Sequence, residues 1–171
     1  MTIEELDLDT ASDLLPELVD LLQDAVGDGA SVGFLPPLSH QEALAYWGDV
    51  LEEVEAGTRV LLAARDEEGL AGAVQLELPG KPNASHRAEV QKLIVHTRAR
   101  RRGLGRALLE AAERRALQLG RTLLVLDTRQ GDAAEQLYRK QGYTAVGVIP
   151  GYARSANGQL DGTVVFYRQL G

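Results

Sequence analysis

Residues 93–112 read L-I-V-H-T-R-A-R-R-R-G-L-G-R-A-L-L-E-A-A, and this stretch decides the fold. An apolar run ends at Val95, five arginines crowd between Arg98 and Arg106, and glycines stand at 103 and 105. Leu104, Ala107, Leu108, Ala111 and Ala112 then recur at helical spacing. The segment predicts a strand, a cationic loop, and a helix whose first turn carries the charge. Helix N-termini leave amide N–H groups unpaired and add partial positive charge, so the loop reads as a polyanion site.

The remainder of the chain sharpens that reading. The 171 residues carry 18 Lys+Arg against 25 Asp+Glu, a net charge of −7. Without the five loop arginines, 13 Lys+Arg would face 25 Asp+Glu, a net of −12. A chain of this length that is 44% hydrophobic can bury one sizeable core, so a single domain over residues 1–171 is expected. The absence of cysteine excludes disulfides, thiolate metal sites and a cysteine nucleophile. His40, His86 and His96 lack metal-ligand spacing, so no metal is expected. The acidic start, M-T-I-E-E-L-D, is unlike a signal peptide, and no apolar run reaches membrane-spanning length. The expectation is a soluble cytoplasmic protein, monomer or homodimer, with no membrane partner.

Periodicity outlines the rest. Asp13 is expected to cap a helix bearing Leu14, Leu15, Leu18, Val19, Leu22 and Val26, ended by Gly27. Ser39-His40-Gln41-Glu42 forms a capping box for a second helix that stops at Gly57. Val60–Arg65 and Leu70–Leu78 read as a hairpin, and Ala88–Val95 as the next strand. After the helix Gly103–Leu119 come a buried strand at Thr122–Asp127 and a short helix at Asp132–Gln141. Closing strands follow at Tyr143–Ile149 and Thr163–Tyr167, with Ile149-Pro150-Gly151-Tyr152 as a turn between them. The class is α+β, a mixed sheet flanked by helices with a strand-loop-helix-strand unit at its centre.

Three polyanions compete for the loop. A dinucleotide fingerprint puts its first glycine directly after the strand and needs a third glycine where Leu108 stands. Several residues separate Val95 from Gly103, so that reading fails. Nucleic acid calls for a broad basic surface with interleaved aromatics; this chain has two Phe, one Trp and a pI near 5. A compact, phosphate-bearing small molecule remains.

The run R-R-R-G-L-G-R-A-L-L resembles the pyrophosphate-binding motif of the GCN5-related N-acetyltransferases, Q/R-x-x-G-x-G/A, with Arg100, Gly103 and Gly105 on its defined positions. The segment L-D-T-R-Q-G-D-A-A-E-Q-L-Y-R-K-Q-G-Y resembles the second block of that family, a short helix ending L-Y-x-x-x-G-Y/F. G-A-S-V-G-F, R-A-E-V-Q-K-L-I-V, L-D-T and I-P-G-Y-A are further similar to a toxin-resistance branch of the same family, which inactivates a β-lactam phytotoxin. The resemblance implies an acetyl-CoA-dependent N-acetyltransferase acting on a small amine, in a fold whose parallel strands Ala88–Val95 and Thr122–Asp127 splay to admit the donor. It implies pantetheine contacts along Ile94 and Val95, and a pyrophosphate cradle over Arg100, Arg101, Arg102, Gly103, Leu104, Gly105, Arg106 and Ala107. One position departs: an Asn often found seven residues before the helix tyrosine is Gly131 here. A protein N-acetyltransferase and a non-catalytic acyl-CoA sensor are the other readings.

Three residues stand out for chemistry. Tyr138 shares a helical face with Ala134 and Leu137, so spacing alone favours a core aromatic. The resemblance instead makes it the acid that protonates the departing thiolate. Glu89 begins an otherwise apolar strand, on the face expected to carry Leu93 and Val95, where desolvation would raise its pKa and suit it as a base. Asp127 ends the neighbouring strand and either joins Glu89 or caps the next turn through Thr128. Phe34, Trp47 and Tyr152 are candidate acceptor-pocket walls.

Overall fold

The structure is a computed structural model describing residues 1–171. Seven strands form one sheet: β1 (Thr2–Glu5), β2 (Arg59–Asp66), β3 (Gly69–Glu77), β4 (Arg87–Val95), β5 (Leu123–Arg129), β6 (Thr144–Arg154) and β7 (Leu160–Gln169). Their spatial order is β1-β2-β3-β4-β5-β7-β6, and only β4 and β5 run parallel. Five helices cover the faces: α1 (Leu8–Asp13), α2 (Leu15–Gly27), α3 (His40–Glu55), α4 (Leu104–Gln118) and α5 (Ala133–Lys140). No helix is long and apolar enough to cross a membrane.

The sheet divides two apolar layers. On one face Leu104, Leu108, Leu109, Ala112 and Ala116 of α4 pack with Tyr138 of α5 against Ala88, Val90, Leu124, Leu126 and Phe166. On the other, α1 to α3 bring Leu18, Leu22, Val26, Trp47 and Leu51 onto Leu61, Ala63, Ala73 and Ile94. β2 and β3 are buried on both faces, which is why they read as near-continuous apolar runs. Each fully buried leucine of α4 contributes about 2 kcal/mol of burial free energy, which outweighs the weak propensity of a helix this rich in charge.

Several sequence expectations need correction. Asp7, rather than Asp13, is the first cap: its carboxylate accepts from the Thr10 amide at 2.8 Å, and Asp13 ends α1. A separate helix then starts at Leu15 with Pro16 in its first turn, where the missing N–H costs nothing. Strand β1 was not foreseen, because the four residues T-I-E-E carry no apolar alternation; β2 recruits them by backbone pairing from Thr2↔Arg65 to Glu5↔Leu62. Ile149-Pro150-Gly151-Tyr152 is no turn: β6 continues through it, with a bulge between Ile149 and Ala153 opposite β7. Pro is admissible there because β6 is the edge strand. The hairpin reverses instead between Ser155 and Gln159, where the Ser155 amide bonds to the Gln159 carbonyl. The capping box at Ser39 and Glu42 forms as its sequence requires.

Two irregularities shape the middle of the sheet. β4 and β5 pair only over Arg87↔Leu123, Ala88↔Leu124 and Glu89↔Val125, although both strands run several residues further. The strands diverge beyond Glu89, and from Gln91 to Val95 β4 is paired with β3 alone. The closed end is stitched by Arg121, whose guanidinium donates to the carbonyls of Pro79, Ala84 and Arg87 at 3.1–3.3 Å. The second irregularity is a bulge in β4: Gln75 faces Gln91, Ala73 faces Ile94, and Lys92 sits at φ 50° between them. The extra residue reverses the alternation. Val90 faces α4 whereas Ile94 faces α3, so Glu89 does not share a face with Leu93 and Val95 as expected.

Candidate active site

At the open end of the divergence, the chain leaves β4, makes a short 3-10 turn (Thr97–Ala99), and enters α4. Gly103 caps α4 at φ 76° and Arg101 adopts φ 60°, an alternation of left-handed residues that turns successive amides toward a common point. None of the amides from Arg101 to Arg106 finds an acceptor in the chain; the first α4 bond runs from Ala107 to the Gly103 carbonyl. Six unpaired donors beside exposed guanidinium groups suit a pyrophosphate. The gap along β4 suits an extended amide-bearing arm, which would add to the edge as a strand does.

The five arginines divide in their roles. Arg98 is structural: it donates to both carboxylate oxygens of Asp66 at 3.0 and 2.8 Å and to the Leu70 carbonyl at 2.9 Å. Arg100 is paired with Asp28 and reaches back to the Val95 carbonyl at 3.4 Å. Arg106 pairs with Glu110 one turn along α4 at 2.7 Å. Arg102 only approaches Asp66, at 3.9 Å, and Arg101 has no ion-pair partner. Arg101 and Arg102 therefore have the free guanidinium groups, and Arg100 and Arg106 present mainly their backbones. Leu104 is buried in the core, and a Cβ on Gly105 would meet Leu137 and Val95 side chains only at ordinary contact distance, 3.6 and 3.8 Å. Gly131, at φ 89°, donates its amide to Glu135 at 2.8 Å and turns the chain into α5.

The chemistry-bearing side chains approach the gap from opposite faces. Glu89 and Asp127 project toward the α3 side, since Ala88, Val90, Leu124 and Leu126 beside them face α4. Burial, followed by the neighbouring Glu77 charge, raises the pKa of Glu89. Asp127 is exposed and accepts from the Thr163 hydroxyl of β7 at 2.7 Å, so it is held across the ladder rather than capping the turn through Thr128. Tyr138 comes from α5 on the other side, 6% exposed and packed edge-on to Tyr143 at 5.7 Å and tilted to Phe166 at 5.9 Å. Its hydroxyl makes no bond within the chain yet is not sealed from solvent. Burial first, and the Asp127 charge second, push its pKa up to about 12. The ring of Tyr138 is thus core, as its spacing predicts, and its hydroxyl reaches the surface of that core.

A polar cluster that the sequence did not disclose lies next to Glu89. Arg59 donates to Gln75 and Gln91, both at 2.9 Å, and pairs with Glu53 at 2.5 Å. Gln91 donates to Glu77 at 2.5 Å, and the Gln75 amide reaches the Tyr46 hydroxyl at 3.0 Å. Phe34, on the loop between α2 and α3, packs edge-on against Tyr46 at 5.4 Å. That loop is tied down by Arg129, which donates to the Gly29 carbonyl at 3.1 Å and to Asp132 at 2.9 Å. Phe34 is half-buried there against Tyr46. Trp47 is fully buried core, and Tyr152 lies exposed on β6. The available signal was the pattern E-V-Q-K at 89–92, where two adjacent polar residues break strand alternation and mark the bulge.

The sequence profile of the acetyltransferase (GNAT) family matches residues 17–143, and the chain belongs to that family. It is an N-acetyltransferase, with acetyl-CoA as the donor its fold accommodates. Solved structures share the architecture over nearly the whole chain. A ribosomal-protein-alanine N-acetyltransferase from Brucella melitensis is 21% identical, covers 99% of this chain and 100% of its own, and has a TM-score of 0.79. A candidate acetyltransferase from Salmonella typhimurium, solved with its cofactor acetyl-CoA, is 20% identical over 100% and 94%, with a TM-score of 0.80. A candidate phosphinothricin N-acetyltransferase is 22% identical over 99% and 98%, also at 0.80.

Proposed function

We propose that the protein acetylates the amine of a small, amino-acid-like molecule, a toxin or antibiotic, in the cytoplasm. The observation that carries this reading is the placement of Glu89 and Asp127 on the α3 side of the gap, opposite the Tyr138 hydroxyl. Acetyl-CoA supplies an activated thioester. The amides of Arg101 to Arg106 and the guanidinium groups of Arg101 and Arg102 hold its pyrophosphate, the Ala107 amide being taken by the Gly103 carbonyl, and the β4 edge at Ile94 and Val95 aligns its arm. Glu89 or Asp127, directly or through one water, takes the ammonium proton so that the amine lone pair can attack. An edge amide near Val95 polarises the thioester carbonyl, and Tyr138 serves the leaving sulfur.

The raised pKa of Tyr138 defines how it serves. A phenol whose proton burial holds above the ordinary phenolic range is a weaker acid than a thiol, so complete proton transfer to the thiolate is uphill. Tyr138 therefore donates a hydrogen bond to the developing thiolate, and the proton released by the amine ends on sulfur late in the reaction. The loop Gly29–Leu38, roofed by Phe34 and fixed by Arg129, favours a compact acceptor over a protein terminus.

The test is a panel of small amines and N-terminal peptides, read by thiol release and by mass of the acetylated product. Turnover confined to small amines supports the reading. Turnover confined to peptides would replace it with a protein N-acetyltransferase.

A further inference from the structure

Lys92 has no counterion. Its ammonium makes no hydrogen bond or ion pair, although the side chain is half-buried at the centre of a chain with a net charge of −7. It lies 5.8 Å from the centroid of the Tyr46 ring and 3.7 Å from where a Cβ on Gly33 would stand. Arg59 repels it, while Asp127 and Glu89 attract it from beyond ion-pair distance. A cation over an aromatic ring gains about 0.5–2 kcal/mol, whereas an ammonium taken from water without a partner costs several. The chain nonetheless spends an uncommon backbone conformation on this placement. A regular β4 would direct Lys92 to the α4 core beside Val90; the bulge and φ of 50° bring it to the α3 side with Glu89 and Gln91.

The result is a bipolar surface. Glu89 and Asp127 form an anionic end near the gap, Lys92 a cationic end beside Phe34 and Tyr46, and none of the three is in an ion pair. We infer that Lys92 binds the carboxylate of the acceptor, so that the substrate is a zwitterionic amino acid with its ammonium on the Glu89–Asp127 side. The inference rests on the acceptor reading given above. It adds a required functional group and a specificity-determining residue. The carboxylate completes Lys92, and the charge pair fixes which way the molecule lies, aiming one nitrogen at the gap. A simple amine would lack the second contact. A dicarboxylate without an amine would be repelled by Glu89 and Asp127.

The experiment compares matched acceptors, each amino acid against its carboxamide and its decarboxylated amine, in wild type and in Lys92→Met. Wild type is expected to prefer the acids by at least 30-fold in kcat/KM, with most of the difference in KM. Lys92→Met should lower kcat/KM for the acids at least tenfold and for the amides less than threefold, so that the preference collapses. The melting-temperature rise given by acetyl-CoA reports whether the variant is folded and holds the donor. Equal use of acids and amides by wild type would overturn the inference while leaving the amine-acetylating reading intact, as would a uniform loss in Lys92→Met. If no acceptor in either series turns over while acetyl-CoA binds, the acceptor reading fails. Calorimetry of the acids and amides on the CoA complex then decides Lys92 separately: tighter acids that lose their advantage in Lys92→Met uphold it, and equal affinity rejects it.

Discussion

A hydroxyl that emerges from a packed ring is the residue-scale device of this site. Tyr138→Phe keeps the ring contacts with Tyr143 and Phe166 and removes only the oxygen. The variant should lower kcat by about 10- to 1,000-fold, a few kcal/mol of lost stabilisation of the departing sulfur, with the acetyl-CoA dissociation constant within about twofold. Steady-state rates beside a binding titration check both halves. Glu89 gives a pH prediction whose sign is fixed. Its proton is held to higher pH in the folded chain than in the unfolded one, so its favourable contribution is present at low pH and fades as pH rises through the folded value. Glu89→Gln should therefore raise Tm at pH 8 and change it little at pH 4. If Glu89 is the base, the same variant abolishes the acidic limb of kcat/KM, which lies above the ordinary carboxylate range. If Asp127 is the base, that limb persists. Thermal melts and rate profiles across pH 4–9 separate the cases.

At the scale of elements, two glycines close to β4 make opposite predictions. A Cβ on Gly72 would stand 2.8 Å from the Ile94 carbonyl oxygen and 3.0 Å from Leu108, backbone and core that cannot both yield. Gly72→Ala should cost about 1–3 kcal/mol in denaturant unfolding. Gly105→Ala meets no such obstacle and occupies an α4 position, so its stability should change by less than about 1 kcal/mol. Its acetyl-CoA affinity should also stay within about threefold, because the added Cβ would lie against the Leu137 and Val95 side chains and the family motif takes Ala as well as Gly at this position. A loss of about tenfold would show instead that a methyl group at 105 intrudes on the pyrophosphate. These elements also show what a sequence discloses. The arginine–glycine loop was legible because charge, glycine and helix periodicity coincide within nine residues, and the capping box because its partners are three residues apart. Hidden were features set by distant partners. β1 exists through pairing with β2, Glu89 changed sides through a one-residue bulge, and the cluster around Arg59 gathers residues from α3, β2, β3 and β4. Asp28, which occupies Arg100 from the end of α2, is likewise invisible to local pattern, whereas Glu110 stands four residues from Arg106 on one helix and is legible there.

For the whole molecule, the unusual quantity is how little backbone joins its two parts. β1 to β4 with α1 to α3 make one, β5 to β7 with α5 the other, and α4 lies mainly across β2, β3 and β4 while its Glu113 accepts from Arg168 of β7 at 2.8 Å. The backbone join is three residue pairs of the β4–β5 ladder with the Thr122 and Leu123 amides on the His86 carbonyl, and Arg121, Arg129 on the Gly29 carbonyl and Arg168 on Glu113 add side-chain ties. Amide exchange should find β5–β7 opening as a unit at a lower free energy than β2–β3, and acetyl-CoA should slow that opening together with exchange at Arg101–Arg106. Uniform protection across the seven strands, unchanged by acetyl-CoA, would contradict this. The seam then has a mechanical meaning. A crack that stops at a riveted end can widen or narrow with small rotations of stiff plates, and a molecule lodged in it acts as a wedge and a splint at once. The donor would set the spacing at which the acceptor's two charged ends are measured. Loading order thus becomes a property of the scaffold: the gauge for the second substrate is calibrated by the first.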